Sequence, residues 1–328
     1  MDLRVVAVPG FGAEDVVVAT GGPFEGRVFT GTEDGNIFWV APDGQVGSVG
    51  STGGRPLGLE FLPDGRLLVC DARLGLLAVD LAGGGATDGT VGGSTRRNVE
   101  TLLDTVAGLP MRFCNNAAVA GDGTIYFSDS STVHPIDEWR AEVVEVTRTG
   151  RLLRRTPDGQ VDVLVDGLAF ANGVALAGDE SFVVVAETAA RTLVRYWLTG
   201  AAAGTKDFLV ADLPGYPDNI SRGSDGLIWV AVASPKDPVV ERLQRGPLWL
   251  RRQVTRIPEK LQPAPKRTVR VQAYGNHGEL KRDLRAPGDR FHMVTGVREH
   301  AGQVWLGSLH EPAIAVLTSG ESDSDSAG

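Results

Sequence analysis

The sequence predicts an all-β protein, a six-bladed β-propeller with a central channel. Three observations carry that prediction. A hairpin unit with an Asp-Gly turn or a variant recurs along the chain, it recurs every few tens of residues, and almost no stretch shows a long helical period. Short strands with periodic turns and no strand–helix alternation argue for all-β. Six units of about fifty residues each fill the 328-residue chain better than a sandwich or barrel does. Radial repetition also gives a channel on which side chains of the innermost strands converge.

Taken in order, the hairpins turn at Glu33-Asp34-Gly35-Asn36, Pro63-Asp64-Gly65-Arg66, Gly121-Asp122-Gly123-Thr124, Gly178-Asp179-Glu180-Ser181, Ser224-Asp225-Gly226-Leu227 and His300-Ala301-Gly302-Gln303. Each is followed by a run rich in Val, Ile, Leu and aromatic residues, as a second strand requires. The propeller is expected over residues 1–318, with the first strand segment joining the last blade to close the ring. Three segments break the pattern. Residues 83–98 are rich in Gly and Thr and read as a surface loop. The segment from Pro235 to Arg270 carries ten Lys/Arg against three Asp/Glu and contains Leu248-Trp249-Leu250. It reads as an insertion in the fifth blade, over about 236–270, holding a short amphipathic helix or a lid. Residues 319–328 are acidic and Ser-rich, the composition of a disordered tail.

Composition excludes several classes. A net charge of −9 argues against a nucleic-acid surface. No apolar run approaches membrane-spanning length, and the first residues are too short and too acidic for a secretory signal. Two cysteines, Cys70 and Cys114, both within apolar runs, read as buried free thiols rather than a disulfide framework. A cytoplasmic protein is the expectation.

The chemistry lies at the starts of the inner strands. Tyr216-Pro217-Asp218-Asn219-Ile220 sets a carboxylate beside an amide just before an apolar run. Gly12-Ala13-Glu14-Asp15-Val16, Cys114-Asn115-Asn116-Ala117 and Ala171-Asn172-Gly173-Val174 place oxygen donors at the same phase of their own blades. Equivalent phase in a propeller means equivalent radius and height. Glu14, Asn115, Asn172, Asp218 and Asn219 therefore point into one channel. Two carboxylates with amide oxygens suit a hard cation: calcium (Ca2+), or another divalent ion.

These residues carry a resemblance. Residues 113–234, including Gly123-Thr124-Ile125-Tyr126-Phe127-Ser128-Asp129, Asp166-Gly167-Leu168-Ala169-Phe170-Ala171-Asn172-Gly173-Val174 and Leu213-Pro214-Gly215-Tyr216-Pro217-Asp218-Asn219, resemble the strictosidine synthase-like branch of the gluconolactonase, senescence marker protein and paraoxonase superfamily. The match extends more weakly over nearly the whole chain, including Arg55-Pro56-Leu57-Gly58. The resemblance implies a six-bladed propeller with a divalent cation, usually calcium, in the tunnel. It places Glu14, Asn115, Asn172 and Asp218 on ligand positions and Asn219 on the additional amide of paraoxonases. Those enzymes hold a second, structural calcium; Asp15 fits that pattern, while Asn116 stands where an acid would be.

The departures bear on mechanism. Leu57 and the Asp71-Ala72 neighbourhood stand where paraoxonases carry histidines, so a His dyad of that type is absent. Thr295 stands where plant strictosidine synthases place a glutamate base, with Glu299 a turn away, which argues against condensation of an amine with an aldehyde. The expected function is a metal-dependent hydrolase of lactones or esters. Asp218 serves as ligand and catalytic group, and Asp71, His292 and Glu187 are further candidate bases. Leu57, Phe113, Phe170 and Tyr216 make the entrance apolar, favouring a small hydrophobic ester or lactone as substrate. Two alternatives stand beside it: a non-catalytic propeller that binds a small ligand or partner and keeps a structural metal, and a bond-forming biosynthetic enzyme.

Overall fold

The structure, a computed structural model, describes residues 2–81, 99–257 and 264–318. The loop expected at 83–98 and the tail expected at 319–328 lie outside these residues. Six four-stranded antiparallel sheets make the blades of a propeller. The inner strands, in chain order, are Val17–Val18, Pro56–Phe61, Cys114–Val119, Ala171–Leu176, Gly215–Arg222 and Val294–His300. Five blades are continuous in sequence. The sixth borrows its outermost strand from the other end of the chain: Asp2–Ala7 pairs antiparallel with Ala313–Thr318, from Asp2 opposite Thr318 to Ala7 opposite Ala313. A ring closed this way leaves no seam between the first and last units.

The hairpin turns work as the Asp-Gly signal requires. Asp34, Asp64, Asp122 and Asp225 each accept the N–H two residues on, and the following glycines take positive φ near 80°. The core is layered between blades. Leu59, Leu67 and Val69 pack with Phe29 and Trp39 between blades one and two. Cys70, Leu76, Ile125 and Phe127 pack between blades two and three. Trp229, Val271, Val297 and Leu306 pack between blades five and six. Both cysteines are free and fully buried in the layer between blades two and three. Each layer removes several large side chains from water, worth about 1.5–3 kcal/mol apiece.

Three helices cover one end of the channel. α1 (Trp139–Glu145) lies in blade three, between its second and third strands. α2 (Pro238–Gln244) and α3 (Leu248–Thr255) lie between the second and third strands of blade five, inside the inserted segment. α2 starts where Asp237 accepts from the backbone N–H groups of Val239 and Val240, with proline at the first helical position. The helices are tied together. Gln244 Nε2 donates to the Val143 carbonyl at 2.7 Å, and Thr255 Oγ1 donates to Glu145 Oε1 at 2.9 Å. Arg251 reaches the Glu145 carbonyl, and Arg191 pairs with Glu241 at 2.9 Å. The sequence marked the insertion but not α1, whose seven residues are too few for a clear helical period.

Candidate metal centre in the channel

The channel residues stand on bulges. Five of the six inner strands lose register at the same point: between Pro56 and Leu59, Cys114 and Ala117, Ala171 and Val174, Pro217 and Ile220, and Val294 and Val297. The two residues skipped in each are Leu57-Gly58, Asn115-Asn116, Asn172-Gly173, Asp218-Asn219 and Thr295-Gly296. A bulge frees residues from the ladder and re-aims their side chains, here toward the channel. Blade one contributes Glu14-Asp15 just before its short inner strand. Glycine alternates with a polar residue at the second position around the ring. A Cβ on Gly58 would lie 2.6 Å from Asn116 Cα, and one on Gly296 2.7 Å from Asp15 Cα. The glycines let neighbouring bulges approach closely.

Four residues of these pairs, Glu14, Asn115, Asn172 and Asn219, form a set of bare acceptors. Asn115 Nδ2 donates to Ser130 Oγ at 2.9 Å, Asn172 Nδ2 to Thr188 Oγ1 at 3.0 Å, and Asn219 Nδ2 to Glu14 Oε1 at 2.9 Å. Every amide nitrogen is engaged. The oxygens are not: Asn115 Oδ1, Asn172 Oδ1, Asn219 Oδ1 and Glu14 Oε2 are all buried without a hydrogen-bond partner. Four such atoms in one place contradict the near-universal pairing of buried polar groups, unless something else pairs them. Their charge state agrees. Burial raises the Glu14 carboxyl well above its usual range, as do the Asp218 and Asp15 carboxylates, against the Arg55 guanidinium and the Asn219 amide. Burial likewise pushes Asp218 up to about 7, against the hydrogen bond of Asn172 and with the help of Asp15. Two carboxylates and three amides, with no sulfur or imidazole, are a donor set of the kind a hard cation takes. Among the described residues no group of three or more His, Cys, Asp or Glu side chains is placed to hold a metal, in the channel or elsewhere, so the channel set depends on its amide oxygens.

The second residues do not fit a second ion. Asn116 Nδ2 donates to Asp15 Oδ2 at 3.2 Å, Leu59 N donates to the same oxygen at 3.0 Å, and Asn116 Oδ1 accepts from Val174 N at 2.8 Å. An amide donor faces Asp15 where another ion would need an acceptor. Asn116 stitches blades one, three and four together by itself.

Above the oxygen set lies a cavity of about 220 Å³. Leu57, Phe113, Phe170 and Tyr216 line it, as the sequence suggested, with Met293 and the inward sides of all three helices completing the wall. The Phe113 and Phe170 rings lie 5.4 Å apart. Phe170 and Met293 each precede a channel residue by two positions and take φ of 65° and 51°. Such values are uncommon outside glycine, and both side chains end up in the cavity wall. Met293 was not singled out from the sequence, because a methionine before a strand carries no signal. Thr295 also lines the cavity, its hydroxyl donating to the Glu14 carbonyl at 2.7 Å. Glu299 is held at the far end of its strand by Ser224 Oγ and the N–H groups of Asp225 and Gly302.

Asp71, His292 and Glu187, read from the sequence as candidate bases, do not line this cavity. Asp71 is fully buried and spent on structure: Oδ1 accepts the N–H groups of Arg55, Arg73 and Leu74, and Oδ2 accepts Thr52 Oγ1 at 2.7 Å. Glu187 does the same in blade four, accepting Ala169 N at 2.8 Å and Thr192 Oγ1 at 2.7 Å. Asp129 accepts Phe113 N in blade three. These acids end the second strands of blades two, three and four and hold the lead into the inner strand. The next residue, Ser130 or Thr188, then holds the channel amide; in blade two, where Leu57 has no amide, that residue is Ala72. His292 turns its Nδ1 to Glu311, and its ring lies 5.7 Å from that of His310.

The strictosidine synthase sequence profile matches residues 115–201, which include two of the channel amides. Protein STRICTOSIDINE SYNTHASE-LIKE 10 of Arabidopsis thaliana is 36% identical over 275 residues, covering 80% of this chain and 69% of that protein. The chain belongs to the strictosidine synthase-like family. Adipocyte plasma membrane-associated protein of Rattus norvegicus is 33% identical over 316 residues, covering 89% of this chain and 80% of that protein. Among solved structures, a gluconolactonase from Xanthomonas campestris shares the fold with a TM-score of 0.67 at 16% identity, over 96% of this chain and 89% of the other. Regucalcin from Agrobacterium tumefaciens, described as a calcium-binding protein, does so with a TM-score of 0.63 at 13% identity, over 95% and 90%. This strictosidine synthase-like chain therefore shares the propeller architecture of the gluconolactonase group. No helix among its described residues is long and apolar enough to cross a membrane.

Proposed function

We propose that this strictosidine synthase-like protein is a calcium-dependent hydrolase of hydrophobic lactones or esters. The observation that carries the reading is the group of four buried, unpartnered acceptor oxygens beneath an apolar cavity. Glu14, Asn115, Asn172, Asp218 and Asn219 would hold the ion, which when bound polarises a substrate carbonyl and stabilises the negative charge that develops on its oxygen. Similarity of fold to a gluconolactonase and to a calcium-binding protein supports the same choice.

The chain's own groups divide the remaining work. Of the three carboxylates lining the cavity, Asp237 is spent capping α2, and Glu14 is buried and bonded to Asn219. Asp218 is the one placed to take the proton of an attacking water at a carboxylate oxygen. Leu57, Phe113, Phe170 and Met293 hold the apolar part of the substrate. α1, α2 and α3 exclude bulk water, which strengthens every charge interaction below them. Thr295 and the distant Glu299 leave no base at the position a condensing enzyme of the family uses, so hydrolysis is preferred to bond formation.

One observation favours a second reading. Among the described residues the cavity wall holds no histidine, and its only carboxylates are two proposed ligands and a helix cap. A propeller that binds a small apolar ligand over a structural ion would look the same. Hydrolysis of a panel of lactones and aryl esters, with and without chelator and alongside Asp218→Asn, separates the two. Turnover that needs both the ion and Asp218 establishes the hydrolase. Ligand binding and a chelator-sensitive melting temperature with no turnover establish the binding protein.

A further inference from the structure

The outward side of the two helices inserted in blade five differs from the rest of the surface. Trp249 is 67% exposed, Leu248 39% and Leu250 38%, three consecutive large apolar side chains, and Val239, 59% exposed, reaches both solvent and the cavity. Among them stand Arg242, Arg245 and Arg256, all exposed and none paired with an acidic group among the described residues. The two described acids of the segment are used elsewhere: Asp237 caps α2, and Glu241 pairs with Arg191 and Lys236. Along α3, Trp249 and Arg256 are seven residues apart and so share a stripe. Val254 and Thr255 instead face the cavity, with Val239, Val240 and Leu243 of α2. The same two helices thus wall the cavity on one side and offer solvent an apolar, positively charged face on the other.

That face is out of keeping with a chain of net charge −9. Exposed apolar groups gathered in one patch mark an interaction surface, and the unpaired arginines state the partner's sign. We propose that this face lies on an anionic lipid bilayer. Trp249 and its apolar neighbours would sit in the headgroup layer, and Arg242, Arg245 and Arg256 would sit against acidic headgroups. Tryptophan suits that layer because it has an apolar body and a polar tip. The guanidinium fork suits lipid phosphate. Shallow apolar insertion combined with several cations is how a surface-lying helical element binds anionic membrane. A second copy of the chain is a poorer occupant, since a twofold contact through this face sets arginine against arginine. The proposal is independent of the hydrolase reading.

The test is flotation of the full calcium-bound chain with vesicles of phosphatidylcholine alone and of phosphatidylcholine with phosphatidylserine, at equal free calcium. Wild type is expected to float with the anionic vesicles and not with the neutral ones. Each arginine near such a surface is worth about fivefold in partitioning, so Arg242→Gln/Arg245→Gln/Arg256→Gln is expected to lose about a hundredfold. Trp249→Ser is expected to weaken binding as well, with circular dichroism and melting temperature unchanged in both variants. Failure of wild type to float with anionic vesicles overturns the proposal, and so do variants that float as well as wild type. Binding to polyglutamate without vesicle binding overturns it in favour of an acidic protein. So does a dimer that Trp249→Ser dissociates while vesicles are ignored, in favour of a second copy.

Discussion

Asn219 donates its side-chain Nδ2 to Glu14 Oε1 at 2.9 Å, joining residues 205 apart in sequence from blades five and one. The bond fixes both partners with an oxygen to spare: Asn219 Oδ1 and Glu14 Oε2 remain buried and unpartnered. It supplies neither the positive charge nor the further donors that these oxygens need.

Chelation is therefore expected to lower stability, not only activity. An ion present at a hundred times its dissociation constant adds about 2.7 kcal/mol to the folded state. Thermal melts with calcium, with magnesium and with chelator check this, and calcium is expected to restore the highest melting temperature. A melting temperature unchanged by any of the three would mean that the oxygens hold no ion.

Asn172→Leu gives a sharper contrast. The substitution removes an unpartnered buried oxygen, and Thr188 Oγ1 keeps its bond to the Pro217 carbonyl at 2.7 Å. Stability of the chelated protein is expected to change by less than about 1 kcal/mol, since burying an unpaired polar atom is itself costly. Calcium affinity measured by titration calorimetry is expected to fall at least about tenfold. A large loss of stability in the chelated protein with affinity intact would assign Asn172 a purely structural role.

The chelated protein should also carry a distinctive pH dependence. Asp15 is raised to about 6 and Asp218 to about 7, and Glu14 is raised as well, all with burial as the leading cause. Folded-state values above the unfolded ones mean that the folded chain holds extra protons between the two. Stability is full below about 4 and falls as pH rises through about 6 to 7, by up to about 1.4 kcal/mol per unit for each group. Calcium, which needs the ionised carboxylates, is expected to stabilise more as pH rises over the same window. Urea unfolding at pH 5 and 7.5, with and without chelator, tests both slopes. A chelated protein more stable at 7.5 than at 5 contradicts the argument.

Asp71 separates structure from chemistry. Asp71→Ala leaves the N–H groups of Arg55, Arg73 and Leu74 without their acceptor, and a loss of about 3 kcal/mol or more is expected. Whatever folds should retain calcium binding and turnover per folded molecule. Asp218→Asn should do the reverse, losing turnover by at least about a hundredfold while its chelated form melts close to chelated wild type.

Asn116→Asp asks whether the inner stitch replaces an ion. The substitution sets a carboxylate against Asp15 in place of the 3.2 Å amide bond. The variant is expected to be less stable than wild type in chelator, and to bind one more calcium by titration calorimetry as stability returns. Unchanged stoichiometry would show that the surrounding bulges leave an ion no room.

How much of this was legible beforehand follows from what each residue type can signal alone. The blades were readable because Asp-Gly turns such as Asp64-Gly65 and Asp122-Gly123 impose a backbone few other pairs accept. The channel set was readable because Glu14, Asn115, Asn172 and Asp218 each interrupt an apolar run at one phase. Asp71 and Glu187 were misplaced for a related reason. An acid at the end of a strand looks the same whether it faces a cavity or its own backbone, and only the Arg55 and Ala169 N–H groups decide between them. The bulges left no mark in sequence, since register is a property of two strands. Nor did the packing of α3 on α1, which rests on Glu145 meeting Thr255 and Arg251 from 110 and 106 residues away.

The closing strand Asp2–Ala7 has a consequence for how the protein comes into being. Glu14 follows it by only seven residues, so one short tether carries both the latch of the ring and a proposed ligand. The tether is made before Asp218, Asn219 and Ala313–Thr318, which it must meet. Capture of an ion at the proposed site and circularisation would then be the same late event. A molecule that unzips at its ends would release its ion before any blade comes apart, and loss of calcium would be the earliest sign of fraying.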